Sequence, residues 1–209
     1  RSNGRGQAAA WAVKSKMCRG LPGKYPYPGF IHQVKEGNFE EAYRIISESS
    51  ALPAICGRVC PQESQCEGKC IAASRAKQFP SGKLERFVAD WLVKTASNRL
   101  LRLEKRQEVA VIGSGPSGLT CAGDLAKMGY DVIFEASYKA GGVLVYGIPE
   151  FRSSEECSCR EEVENVKALG VKIETNVIIG KSTTIDELMD KEGFEAVFIG
   201  SGAGLPMFM

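Results

Sequence analysis

A chain that places Gly113-Ser-Gly-Pro-Ser-Gly118 directly after the apolar run Val109-Ala-Val-Ile112 has few ways to fold around that turn. The run reads as a short buried strand, Ser117 to Lys127 as a helix, and Tyr130-Asp-Val-Ile-Phe134 as a second strand. That order is a βαβ unit, and it implies a parallel sheet. Gly113 permits the tight turn, Gly115 lets the backbone approach a pyrophosphate, and Gly118 lets the helix lie close on the strand. The helix N-terminus offers free N–H groups and a partial positive charge to a diphosphate. Glu135 ends the second strand about twenty residues on, where its carboxylate can accept a hydrogen bond from a ribose hydroxyl. A dinucleotide satisfies both ends.

The glycines alone do not choose between NAD and FAD. In Lys139-Ala-Gly-Gly-Val-Leu-Val-Tyr-Gly-Ile-Pro-Glu-Phe-Arg152, the pair Gly141 and Gly142 suits a loop passing close to a flavin dinucleotide, and it equally suits an ordinary turn. An NAD-dependent dehydrogenase built on this βαβ unit is therefore open at this point.

The second constraint is Cys56-x3-Cys60-x5-Cys66-x3-Cys70, which packs four of the eight cysteines into fifteen positions. Thiolates clustered this tightly in a reducing compartment suit an iron–sulfur cluster or zinc, with unligated core cysteines a third reading. The zinc reading corresponds to a non-enzymatic module, a zinc-stapled helical domain fused to a dinucleotide-sensing unit. Cys121 falls on the βαβ helix and reads as packing, while Cys157 and Cys159 lack the Cys-x-x-Cys spacing and read as an incidental exposed pair. His32 is the only histidine, which removes the material for His-dependent triads, His metal sites and His proton relays. Hydride or electron transfer, where a cofactor carries the reactive atom, needs none.

With 209 residues, 44% hydrophobic and 25% charged, the chain can build one or two domain cores. A net charge of +2 argues against nucleic-acid binding through the overall field. The Lys/Arg-rich arm from Arg1 to Lys35, with no acid in it, reads as a solvated, loop-like tail. No apolar run is long enough to span a bilayer and no signal peptide is evident, so a soluble, cytoplasmic protein without a membrane partner is expected. Asn38 with Glu41 predicts a capping box on a short helix through Ile46, and apolar residues from Leu84 to Leu101 predict a helix over 84–105. Domains over 1–105 and 106–209 follow. In the second, Glu161–Leu169 reads as helix, Val171–Glu174 and Val177–Ile179 as strands, Thr184–Lys191 as a helix capped by Thr183 or Thr184, and Ala196–Ile199 as a last strand. Finishing soon after a buried strand suggests a fragment.

Taken together, Pro28-Gly-Phe30, the stretch from Ala51 to Cys70, Lys83-Leu-Glu-Arg-Phe-Val-Ala-Asp-Trp91 and the glycine motifs resemble the small-subunit family of NADPH-dependent glutamate synthase. The large subunit of NADH-dependent ferredoxin:NADP oxidoreductase and the N-terminal half of dihydropyrimidine dehydrogenase share that architecture. The resemblance implies an α/β protein: an α-helical, ferredoxin-like iron–sulfur domain, then a Rossmann-like FAD domain of the glutathione-reductase type, here C-terminally truncated. It implies FAD and [4Fe-4S] clusters as cofactors, NADPH bound in a domain following Met209, and electrons passed from NADPH to a glutamate synthase large subunit or an analogous redox partner.

Carried over by position, the resemblance gives Gly113, Ser114, Gly115, Pro116 and Gly118 to the pyrophosphate and Glu135 to the adenosine ribose. Gly142, Val143 and Arg152 would approach the flavin, and Thr183 the adenine. Cys60, Cys66 and Glu85 would ligate the cluster nearer the flavin and Cys70 the other, whereas Cys56 matches no ligand position. The family's upstream motif, Cys-x2-Cys-x4-Cys-x3-Cys-Pro, falls on Ala9, Ala12, Met17 and Leu21, none a cysteine, with Cys18 one position off.

Overall fold

The structure is a computed structural model describing residues 27–68, 70, 79–95, 108–129, 133–152 and 159–203. The chain divides into two compact units, Arg1–Ser97 and Asn98–Met209.

The first unit is helical. Helix α1 spans Tyr27–Lys35, α2 Phe39–Ser47, α3 Pro53–Val59 and α4 Ser81–Thr95. Phe30 of α1, Ala42 and Ile46 of α2, Cys66 and Val88 of α4 form one buried cluster. Phe39 closes its edge, with its ring edge-on to Phe87 at 5.2 Å and to Trp91 at 5.3 Å, the offset geometry that aromatic quadrupoles prefer. Asn38 does stand at the N-cap of α2, but the expected capping box is absent. Glu41 is instead held by Arg44 through two hydrogen bonds of 2.7 and 2.8 Å, and the Asn38 amide donates to Gln33. A bidentate, charge-assisted pair outcompetes a neutral cap for the same carboxylate. Helix α3 starts on Pro53, whose missing N–H costs nothing at a first helical position. Helix α4 starts three residues before the expected Leu84, with the Gly82 N–H donating to the Glu67 carboxylate at 3.1 Å. The expected continuation of this helix to Lys105 lies outside the described residues, as does the N-terminal arm up to residue 26.

The second unit is built on a four-stranded, all-parallel sheet in the order β3-β2-β1-β4. Strand β1 (Val109–Ile112) is followed by α5 (Pro116–Lys127), β2 (Ile133–Phe134), the single turn α6 (Val143–Tyr146), α7 (Arg160–Ala168), β3 (Ile173–Glu174), α8 (Ile185–Asp190) and β4 (Ala196–Ile199). Central β1 pairs Val111 with Ile133 on one side and with Phe198 on the other. Its burial on both faces explains why it reads as a continuous apolar run rather than an alternating one. Helix α5 buries Gly118, Leu119, Ala122, Gly123 and Ala126, a stripe of mostly small residues that brings its backbone close to its neighbours. Ala110, Phe134, Leu188 and Phe194 make a second core, with the Phe134 and Phe194 rings edge-on at 5.7 Å.

Thr184, not Thr183, caps α8: its hydroxyl accepts the Glu187 N–H at 3.2 Å and Glu187 accepts the Thr184 N–H at 3.0 Å. The predicted strand Val177–Ile179 does not form. Asn176 turns the chain at φ 64° and Gly180 at φ 93°, leaving one bridge between Ile179 and Thr183. Among the described residues no helix is long and apolar enough to cross a membrane.

Leu188 is wholly buried against Phe134 and Phe194. Leu188→Ala is expected to destabilise the second unit by about 2–5 kcal/mol through lost burial and the cavity left behind. Urea unfolding followed in the 209-residue chain checks this, with the transition of the second unit moving to lower denaturant.

Candidate functional site

The second unit holds the glycine turn Gly113–Gly118. At the end of β1, Gly113 adopts φ 99°, and a Cβ there would stand 2.4 Å from the Gly200 carbonyl oxygen. A side chain at this point is excluded by both conformation and space. One helical turn on, a Cβ on Gly118 would lie 1.8 Å from the Gly113 oxygen, so α5 can approach the turn only because residue 118 has none. Nothing lies within 4 Å of where a Gly115 Cβ would be. That opening adjoins the N-terminus of α5, where Gly115 is the N-cap, no side chain caps the helix, and Pro116 lacks an N–H. The remaining orphan N–H groups of the first turn face whatever enters there.

Glu135 lies beside this opening, 7% exposed. Its Oε2 accepts the Ser114 N–H at 2.8 Å and the Ser114 hydroxyl at 2.5 Å, and its Oε1 accepts the Ser137 N–H at 2.8 Å. Burial pushes its pKa up, but the hydrogen bonds from Ser114 and Ser137 outweigh it and hold the carboxyl below its ordinary value. The Gly141 N–H donates to the Ser114 hydroxyl at 2.9 Å. Next to it Gly142, at φ 53°, packs so closely that a Cβ there would come within 2.9 Å of the Gly115 Cα. The paired glycines thus seat one loop on the other.

Of the other residues predicted to contact the coenzyme, Val143 opens α6 and is 55% exposed. Arg152 is exposed, and Thr183 is half-buried where its carbonyl accepts the Gly180 N–H. The structure therefore brings Gly113, Ser114, Gly115, Pro116, Gly118, Glu135 and Gly142 into one constellation through direct bonds and contacts, and shows no such bond to Arg152 or Thr183. Cys159 corrects an expectation: it is 2% exposed, with its Sγ against Gly141 where a Cβ would meet it at 2.7 Å. Apolar packing behind the loop accounts for its burial; Cys157 lies outside the described residues. A cavity of about 570 Å³ borders Cys159, Lys139, Glu150, Arg160 and Lys167, and none of the predicted cofactor residues lines it.

The first unit gathers the thiols. Cys66 and Cys70 are buried, Cys60 half-buried, and Glu85 only 4% exposed. Burial raises the Cys60 pKa, and the negative charges of Cys66, Glu85 and Glu63 raise it further, which places Cys66 and two carboxylates within electrostatic reach of Cys60. The Ser50 hydroxyl donates to Glu85 at 3.4 Å, and the Ser81 hydroxyl lies 3.6 Å from the Cys66 sulfur. Flanked by Lys83 and Arg86, Glu85 reads as a solvated helix residue. Its position four after Ser81 and three before Val88 puts it on the inward stripe of α4 instead.

Among the described residues no group of three or more His, Cys, Asp or Glu is arranged to hold a single metal ion. Zinc requires its donors around one centre, whereas a [4Fe-4S] cluster takes each donor on a different iron. Cys60 and Cys66, with Glu85 within electrostatic reach of Cys60, are donors of the kind that a cluster takes on separate irons. The positions Ala9, Ala12, Met17 and Leu21, and Cys18 beside them, lie outside the described residues.

Residues 10–97 match the family described as dihydropyrimidine dehydrogenase domain II, 4Fe-4S cluster. The chain is also similar to three oxidoreductase subunits. It is 37% identical over 207 residues to the NAD-dependent dihydropyrimidine dehydrogenase subunit PreT of Escherichia coli O157:H7, covering 94% of this chain and 50% of that one. It is 31% identical over 206 residues to the glutamate synthase [NADPH] small chain of Escherichia coli strain K12, covering 94% and 43%. To the NADP(+)-dependent formate dehydrogenase subunit beta of Moorella thermoacetica it is 33% identical over 235 residues, covering 96% and 32%. The chain spans half or less of the length of these relatives. Each of the three relatives is named as a subunit or chain of an oxidoreductase, and the three differ in the reaction that their names give.

Sequence reasoning did not find Ser137 or the hydroxyl of Ser114 as a bridge. The signal for Ser137 was available: a carboxylate two residues before a free N–H closes a local turn.

Because the folded pKa of Glu135 lies below its ordinary value of 4.5, its contribution to stability is full above that value and is lost as pH falls through the folded one. Glu135→Gln is expected to remove this contribution. Denaturant midpoints measured from pH 6 downwards should drop less steeply below about pH 4.5 for the variant than for the unsubstituted chain.

Proposed function

We propose that this chain forms the iron–sulfur and FAD-binding portion of an oxidoreductase subunit that passes electrons from NADPH, through FAD and [4Fe-4S] clusters, to a partner subunit. The observation that carries this reading is the open Gly115 corner, with Gly142 seated against it and the ionised Glu135 beside it. When bound, FAD accepts a hydride and releases single electrons, and a [4Fe-4S] cluster relays them one at a time.

The chain's own residues supply position and charge. Gly113, Ser114, Gly115, Pro116 and Gly118 would hold the diphosphate against the N-terminus of α5, using orphan N–H groups and the helix dipole. Glu135 would accept one hydroxyl of the adenosine ribose. Gly142 and Val143 would line the path towards the flavin, with Arg152 able to offer a cation to it and Thr183 placed towards the adenine. Cys60, Cys66 and Glu85 would hold one cluster, and Cys70 would serve a second. A carboxylate in place of a thiolate would change the electron donation to the cluster and so tune its potential.

By resemblance, the partner is the large subunit of a glutamate synthase, and the compartment the cytoplasm. A second reading is favoured by the 37% identity to PreT, which is a subunit of an NAD-dependent dihydropyrimidine dehydrogenase: the electrons would then serve a pyrimidine-reducing partner.

The test is an absorption spectrum of the protein purified without oxygen, followed by flavin, iron and sulfide quantification. Release of FAD on denaturation, together with iron and acid-labile sulfide, is the expected outcome. A colourless protein that takes up no added FAD and holds no iron overturns the proposal, and stoichiometric zinc would favour the zinc-stapled module. With one strand–glycine turn–helix unit among its described residues, the 209-residue chain alone is expected not to reduce a dye with NADPH, and measurable dye reduction would contradict that.

A further inference from the structure

We infer that the side-chain hydroxyl of Ser114 is a positioning group that locks the Gly141–Gly142 loop to Glu135, so that both walls of the dinucleotide site are set before the coenzyme arrives. The inference rests on the coenzyme reading above and goes beyond it, since the resemblance gives Ser114 only a place in the pyrophosphate turn.

The direction of each hydrogen bond is fixed by chemistry. The Gly141 amide can only donate, so at 2.9 Å the Ser114 oxygen accepts from it. The ionised carboxylate can only accept, so the one Ser114 hydroxyl proton goes to Glu135 Oε2 at 2.5 Å. The hydroxyl is therefore fully committed in both directions, in a residue with no solvent exposure. Water cannot replace either partner, and two segments far apart in sequence are joined through a single oxygen atom.

The same bonds limit what Glu135 can still do. A carboxylate offers about four acceptor positions, two on each oxygen. The Ser114 N–H and hydroxyl fill those of Oε2, and the Ser137 N–H takes one on Oε1. The Ser137 side chain is a further hydrogen-bond partner of the carboxylate, so the structure leaves no room at Glu135 for a bidentate ribose pair. Meanwhile Gly142, held by its neighbour's bond to Ser114, stays in contact with Gly115.

Removing the hydroxyl leaves a buried amide and a buried carboxylate oxygen each short of a partner, and hydrogen bonds to charged groups are the costly ones to lose. Ser114→Ala is expected to weaken FAD binding about tenfold or more, read by flavin fluorescence quenching in the 209-residue chain. It is also expected to speed hydrogen exchange of the Gly141 amide in the coenzyme-free chain, while amides of α5 such as that of Leu119 keep their protection. Ser114→Thr, which retains a hydroxyl, should recover most of both effects.

Equal FAD affinity and equal Gly141 exchange in the alanine variant would overturn this inference while leaving the coenzyme reading intact. Loss of protection throughout α5 would overturn it too, by showing a general structural role. Failure of the unsubstituted chain to take up FAD would instead remove the coenzyme reading and this inference with it.

Discussion

The approach of helix α5 to the β1 turn is the constraint on which the second unit depends. At Gly118 the helix backbone comes so near the Gly113 carbonyl that no side-chain carbon fits between them. That proximity sets the N-terminus of the helix over the opening at Gly115 and places the Ser114 N–H within reach of Glu135. A helix held a side chain's width farther away would still pack on the sheet through Leu119 and Ala122, but its terminal N–H groups would no longer converge with the carboxylate.

The first unit solves a different problem. It must keep sulfur atoms and a carboxylate out of bulk water without leaving them unsupported, because a buried polar group without a partner is expensive. Helix α4 does this by turning Ser81, Glu85 and Val88 along one inward stripe, so that hydroxyl, carboxylate and apolar groups share a face. Ser50 supports Glu85 from the segment after α2. Beside this, Arg58, its side chain 10% exposed, donates from Nη2 to both Asp90 carboxylate oxygens at 2.8 and 2.9 Å and from Nη1 to the Ala54 carbonyl. This ties α3, which precedes Cys60, to α4, which carries the carboxylate.

The βαβ core, the roles of Gly113 and Gly118, and the last strand were legible in the sequence because each depends on local pattern: a strand-length apolar run, a glycine spacing, a capping threonine. What was not legible depended on competition or on distance. The Asn38–Glu41 capping box lost Glu41 to Arg44, an outcome set by side-chain charge rather than by spacing. The strand expected at Val177–Ile179 was undone by the left-handed turn at Asn176. Cys159 looked polar in its neighbourhood because the sequence does not show that it packs behind Gly141. Glu85 was singled out only by the resemblance: its flanking charges suggested a solvated residue, although helical periodicity places it inward. The link from Gly141 through Ser114 to Glu135 joins the turn after β1 to the segment after β2, and no pattern within either of them announces it.

The backbone contact between Gly113 and Gly200 ties the glycine turn to a residue made much later in synthesis. Strand β1 pairs with β4 as well as β2, and the β1–β4 ladder closes a loop of roughly eighty residues before it forms. A ribosome extending this chain therefore exposes the glycine turn with one side of its central strand bare until Ala196–Ile199 has left the exit tunnel. During that interval the nascent chain can form its helices, whose contacts are local, but cannot complete the corner around Gly113. The order of assembly runs opposite to the order of the elements along the chain: the turn that defines the second unit is among the first of its parts to be translated and among the last to be finished.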